Sequence, residues 1–172
     1  MVPPGGIRRG RPRMGGDAVP RPKPAAPEPQ PEPRPKPPAV ADNRKRVLFV
    51  CIGNSCRSQM AEAFARAYGS DVLSAHSAGL SPAMIVAPLT RVVLEEKNIR
   101  SDGQFPKALK EMLREPYDVI VNISGEELPL TKSRVLEWTV RDPIGLREAV
   151  YRDVASQIEG LVMRLILELR SS

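Results

Sequence analysis

The stretch Val47–Phe64, VLFVCIGNSCRSQMAEAF, carries the fold and the chemistry together. It opens after Arg46 with Val47-Leu48-Phe49-Val50, a continuous apolar run. That is the pattern of a strand buried on both faces of a parallel sheet. It leads into Met60, Ala61, Phe64, Ala65 and Tyr68 at helical spacing. A helix over 58–68 follows, with Gly69 at its C-terminal stop. Between strand and helix lies Cys51-Ile52-Gly53-Asn54-Ser55-Cys56-Arg57-Ser58. In an α/β fold such a loop emerges at the C-terminal edge of the sheet, where ligands bind.

The same alternation continues along the chain. Val72 to Ser77 reads as a second strand, Ala87 to Asn98 as a helix with Pro88 in its first turn, and Pro106 to Arg114 as another helix. Tyr117 to Ile123 is the clearest later strand and Val135 to Thr139 a shorter fourth. Leu146 to Arg170 repeats apolar residues at helical spacing: Val150, Val154, Ile158, Leu161, Leu165 and Leu169. Strands alternating with helices predict an α/β sandwich on a small parallel sheet.

Residues 1–43 are different in kind. They hold 13 of the 19 prolines and contain no Leu, Phe, Tyr or Trp. The proline-rich run at 27–37 lacks the N–H groups that a helix or sheet needs and is expected to be extended and solvated. The reading is a disordered Pro/Arg-rich tail over 1–43 and one catalytic domain over 44–172. The tail reads as a linker; its composition also fits a ligand for an aromatic-grooved partner domain.

Charge divides at the same place. The tail carries 8 Lys/Arg against 4 Asp/Glu, and the remainder 18 against 16. The chain's net +6 is therefore mostly the tail's, which argues against a nucleic-acid-binding domain. No apolar stretch approaches the ~18–20 residues of a membrane span, and the N-terminus has no apolar core of a secretory signal. Two cysteines make no disulfide framework. The expectation is a cytoplasmic protein that binds neither membrane nor nucleic acid. No metal motif stands out, and the chemistry below calls for no cofactor. His76, the one histidine, reads as a structural residue at a strand end. Trp138 reads as core packing.

The loop has the parts of an oxyanion site. If its backbone curls, N–H groups from Ile52, Gly53, Asn54, Ser55, Cys56 and Ser58 cradle a tetrahedral anion, and the helix start adds its own free N–H groups. Gly53 permits tight curvature and Asn54 tolerates a left-handed backbone. Arg57 supplies a planar fork for two oxygens. A helix N-terminus and a nearby cation favour the thiolate of Cys51, making it a nucleophile aimed at the bound centre. Ser58 is placed to hydrogen-bond that sulfur. A cysteine after a strand is by itself an ordinary small core residue, and C-x5-R is a loose pattern. The full string between such a strand and such a helix is much more specific.

VCIGNSCRSQMAEAF resembles the active-site signature of the low-molecular-weight protein tyrosine phosphatases and of the arsenate reductases that share their fold. Ser77-Ala78-Gly79 and Asp142-Pro143 match the same superfamily in order and spacing. The resemblance covers nearly all of 44–172. It implies a four-stranded parallel sheet flanked by helices on both faces, with Cys51 as nucleophile, Arg57 as clamp and Asp142 as general acid. Asp142 follows the expected fourth strand, so its loop emerges on the edge that carries Cys51. A positioned acid there contributes roughly 10²–10⁴-fold by protonating a leaving oxygen.

Two branches share the loop. The reading favours a phosphomonoester hydrolase of the tyrosine phosphatase type, acting on a phosphorylated protein or a small phosphate ester through a cysteinyl-phosphate. The alternative is an arsenate reductase using an external small thiol or redoxin; a third reading is a non-catalytic oxyanion-binding module. Gln59 stands where the phosphatases usually have proline, and Ile144-Gly145 where they usually have aromatic residues. Against the reductase branch, 122–129 contain no cysteine for the internal relay of the thioredoxin-coupled enzymes. Cys56, five residues after Cys51, reads either as a small packing residue or as a redox partner that condenses with oxidised Cys51.

Overall fold

The computed structural model describes residues 1–7, 10, 12, 15–16, 18–26 and 41–172. The expected extended run at 27–37 lies outside the described residues. The chain divides into two units, Met1–Ala39 and Val40–Ser172. The described residues of the first form no helix or strand and are exposed.

The second unit holds four strands and four helices in the order β1 (Lys45–Cys51), α1 (Arg57–Gly69), β2 (Leu73–Gly79), α2 (Pro88–Glu96), α3 (Leu109–Met112), β3 (Val119–Asn122), β4 (Arg134–Glu137) and α4 (Glu148–Arg170). All strand pairs are parallel, in the order β2-β1-β3-β4. This is an α/β fold with a small four-stranded parallel sheet. β1 lies inside the sheet, which explains its unbroken apolar run. Val47, Phe49 and Cys51 face one core cluster with α1, α2 and α4, while Leu48 and Val50 face a second with Leu109, Tyr117 and Ile120. Each fully buried Leu or Phe of this layer contributes about 1.5–3 kcal/mol relative to exposure. β4, at the sheet edge, is short and largely exposed.

Several boundaries differ from the sequence reading. β2 runs two residues further, to Gly79, because parallel pairing with β1 continues to Cys51↔Gly79. The helix expected over Pro106–Arg114 shrinks to Leu109–Met112, since 104–107 instead crosses the sheet edge and hydrogen-bonds to β2 and the loop after β1. Gly69 is the last residue of α1, not the left-handed stop after it. Its lack of a side chain answers to α4: a Cβ there would stand 2.6 Å from Ile166 Cγ1. The left-handed position lies after α2 instead, at Asn98 (φ 58°). His76 sits within β2, against Ser74 and Tyr117. Trp138 packs on Phe49, with ring centroids 5.8 Å apart.

Among the described residues no helix is long and apolar enough to cross a membrane. No group of three or more His, Cys, Asp or Glu among them comes together in a way that could hold a metal ion.

Candidate active site

Residues 51–58 connect the C-terminal end of β1 to α1 and wrap a hollow of about 210 Å³. Cys51, Ile52, Gly53, Ser55, Cys56 and Arg57 line it, with Ala83, Asp142 and Ile144 at its side. The loop curls because its carbonyls are drawn outward. Cys51 O accepts from Leu80 N–H (3.1 Å), Ile52 O from Ser81 N–H (2.8 Å) and Gly53 O from Ala83 N–H (2.8 Å). Ser55 O accepts from Ala87 N–H (3.0 Å) and from the Thr90 hydroxyl (2.9 Å). Asn54 O accepts from Gln59 Nε2 (3.0 Å). A trans peptide points its N–H opposite to its carbonyl, and no peptide among the described residues is cis. The N–H groups of Ile52, Gly53, Ser55 and Cys56 are thereby turned the other way, toward the hollow that these residues line. Together with the open N-terminus of α1 they offer a set of donors on one side of the loop, an arrangement that can hold an anion.

The Asn54 side chain has a part that its sequence position did not show. It is fully buried, at φ 48°, and acts as a strut. Its Oδ1 accepts from Lys107 N–H (2.8 Å) and Gln59 Nε2 (3.1 Å), and its Nδ2 donates to Ser58 Oγ (2.8 Å). Ser58 Oγ lies 2.7 Å from Cys51 Sγ. That hydroxyl accepts from Asn54 and is able to give its own proton to the sulfur. The Ser58 side chain faces the nucleophile.

Arg57 is 6% exposed and aimed by carbonyls from the far side of the sheet. Its Nη1 donates to Ile123 O (2.8 Å) and Val140 O (3.0 Å), and its Nη2 lies 3.6 Å from Asp142 Oδ2. The sheet order makes this possible: β3 is next to β1 and β4 next to β3, so the segments after all three converge. Asp142 is half-exposed at the rim, and its Oδ1 accepts from Ile144 N–H (3.1 Å), so Pro143 stiffens a tight turn that holds the carboxylate over the hollow. Cys51, Arg57 and Asp142, proposed from the sequence, stand together.

Cys56 precedes α1 and is 2% exposed. Burial pushes its thiol up to about 12, against a weaker opposing hydrogen bond from Thr90. It therefore stays protonated at neutral pH.

Three contributors gave little signal in the sequence. Thr90 was hidden in the first turn of α2. Lys107 contributes through its backbone, while its ammonium lies 3.7 Å from Glu62, a carboxylate of α1 that is buried beside Arg66 (2.5 Å) and the Ser77 hydroxyl. Gly79 matched a motif without a reason. The reason is contact: a Cβ there would stand 2.8 Å from both Asn54 N and Ile52 O, backbone atoms that cannot swing aside. Gly79→Ala is accordingly expected to cost about 1–3 kcal/mol in stability and to deform the cradle. Thermal melts and calorimetric titration with inorganic phosphate should show a lowered Tm together with weakened binding; an unchanged phosphate affinity would contradict that account.

The fold is a parallel four-stranded sheet with a cysteine-containing loop around a hollow at its C-terminal edge. Residues 46–172 match the model of the family described as low molecular weight phosphotyrosine protein phosphatase, and the chain belongs to that family. It is 35% identical over 130 residues to the glutaredoxin arsenate reductase of Synechocystis, covering 73% of this chain and 98% of that protein. Among solved structures it resembles an arsenate reductase in the phosphate-binding state, at 33% identity and TM-score 0.67, covering 73% and 98% of the two chains. The YwlE arginine phosphatase of Geobacillus stearothermophilus is similar at 26% identity and TM-score 0.67, with coverage of 74% and 94%.

Proposed function

We propose that this protein reduces arsenate at Cys51 with electrons from an external thiol, and that residues 44–172 carry the activity. The observation that carries the reading is the small hollow: a thiol nucleophile, a ring of donors, and a rim of Ile52, Ala83 and Ile144 with no aromatic ring to wall a phenyl phosphate. The names of its curated relatives favour the same chemistry and reverse the preference for a phosphatase drawn from the sequence.

The steps follow from the geometry. The inward N–H groups and Arg57 hold the arsenate oxygens. The Cys51 thiolate attacks arsenic(V), forming an S–As bond as one oxygen leaves as water. An external thiolate then attacks the Cys51 sulfur. The S–As electron pair stays on arsenic, which leaves as arsenite, and a mixed disulfide remains. A second thiol reduces that disulfide and frees Cys51. Two thiols become one disulfide for each arsenic(V) reduced to arsenic(III). Cys56 is a poor internal resolver, because attack needs a thiolate and burial holds its thiol up at about 12. The test is arsenate-dependent NADPH loss with purified protein and coupled glutathione, glutaredoxin or thioredoxin systems. Absence of arsenate-dependent thiol consumption in all of them would overturn the reading.

A second reading, phosphomonoester hydrolysis through a cysteinyl-phosphate, is favoured by Asp142. Arsenate reduction by thiol exchange makes little use of a rim carboxylic acid, whereas an alkoxide leaving group needs one. In this reading Asp142 protonates the leaving oxygen and then assists water. Asp142→Asn should slow alkyl phosphates by roughly 10²–10⁴-fold and para-nitrophenyl phosphate far less, since nitrophenolate leaves unaided. Equal losses across leaving groups would count against the acid.

A further inference from the structure

We propose that Gln59 is a positioning residue of the anion cradle, aiming the Ser55 N–H and fixing the proton that faces Cys51. This rests on the reading of residues 51–58 as an oxyanion cradle. Gln59 is fully buried in the first turn of α1. Its Nε2 faces three oxygens: Asn54 O at 3.0 Å, Asn54 Oδ1 at 3.1 Å and Phe105 O at 2.9 Å. Its Oε1 has no donor among the described residues. The NH2 end alone therefore sets the orientation, because the flipped amide would press its oxygen against three acceptors.

The other loop carbonyls, of Cys51, Ile52, Gly53 and Ser55, are held by backbone N–H groups of 80–87, which any non-proline residue supplies. The Asn54 carbonyl is held by a side chain instead. Ser55 O also accepts from the Thr90 hydroxyl, but the Asn54–Ser55 peptide is the one whose carbonyl has a side chain and no backbone N–H to hold it. Holding its oxygen outward holds the Ser55 N–H inward. The second Gln59 contact, with Lys107 N–H, occupies Asn54 Oδ1 and turns Nδ2 to Ser58. With one lone pair taken by Asn54, the Ser58 hydroxyl is left to donate its own proton to Cys51 Sγ in this proposal. A single amide thus sets one donor for the substrate and one for the nucleophile. From the other side, Gln104 Nε2 donates to Gln59 O (3.1 Å), tying the helix start to 104–107 without touching Asn54.

Gln59→Met keeps the length of the side chain and removes its donors. Inorganic phosphate is the probe, titrated into the full-length protein by calorimetry and by 1H–15N NMR. The expected result is a Kd raised by about tenfold, the effect of one lost hydrogen bond to a charged ligand. The phosphate-induced shift of the Ser55 amide should be lost while that of Gly53 persists. Gln104→Met is expected to lower Tm and leave the phosphate Kd within about twofold. A wild type that binds no phosphate overturns the cradle reading itself. A wild type that binds, with a Gln59→Met variant equal to it in Kd and Ser55 shift, overturns the role of Gln59 alone. Should that variant fail to fold, the wild type decides: its Gln59 side-chain amide protons must be protected from exchange and must move on phosphate addition. Freely exchanging, unmoved protons overturn the proposal.

Discussion

Cys51→Ser should abolish arsenate-dependent thiol oxidation, by roughly 10⁴-fold or more, as removal of a covalent nucleophile does, and should leave phosphate bound. The two halves of this expectation come from different atoms. Turnover needs a sulfur, because only a thiol forms the S–As bond and then gives up that sulfur to a second thiol. Binding needs the inward N–H groups and Arg57, whose orientation depends on outward carbonyls, Gln59, Thr90 and the ends of β3 and β4. Serine replaces Sγ in a position that is 3% exposed and removes little volume. It keeps a hydroxyl within reach of Ser58. Phosphate titration and the coupled NADPH assay on one preparation read both halves. Residual arsenate-dependent turnover near the wild-type rate would show that another thiol carries the reaction. Joint loss of turnover and phosphate binding would show that the sulfur shapes the cradle as well.

The parts of this site that were legible in the sequence are local. A cysteine between a buried strand and a helix, a loop able to curl, an arginine six residues on, and an Asp-Pro after a late strand each lie within a short stretch. What escaped was how distant segments hold them. That Ile123 O and Val140 O would aim Arg57 follows from the strand order β2-β1-β3-β4, which no local pattern encodes. For Asn54, loop position did not show the part its side chain plays: it is buried at a left-handed φ and braces Lys107, Gln59 and Ser58. The same limit applies to 106–114. Its helical spacing was real, but tertiary hydrogen bonds to the cradle occupy 104–107, and the helix begins only at Leu109. The choice between phosphatase and reductase was less legible still. Gln59 and Ile144 depart from the phosphatase pattern already in the sequence, and the fold adds that one holds Asn54 and the other lies at the rim of the hollow.

Arg57→Ala should remove phosphate binding as well as turnover, and Arg57→Lys should rescue little of either. The guanidinium is engaged on two sides. Nη1 spends its protons on Ile123 O and Val140 O, and Nη2 faces Asp142 at 3.6 Å. These fixed contacts leave the remaining N–H groups in one plane for the anion, with no reorganisation when it arrives. Alanine leaves two buried carbonyls without their donor and an anion site without its cation, so both binding and stability fall. Lysine restores the charge, but its compact ammonium cannot reach both carbonyls and still offer a planar fork. If orientation is what matters, Arg57→Lys loses roughly 10²–10³-fold in kcat, the scale of losing one aimed oxyanion donor, and phosphate binds weakly to a protein whose Tm is close to that of the alanine variant. If charge alone matters, lysine restores phosphate affinity to near wild type. Phosphate titration of the two variants side by side, with their melting curves, separates a clamp held by strand-end carbonyls from a simple positive charge.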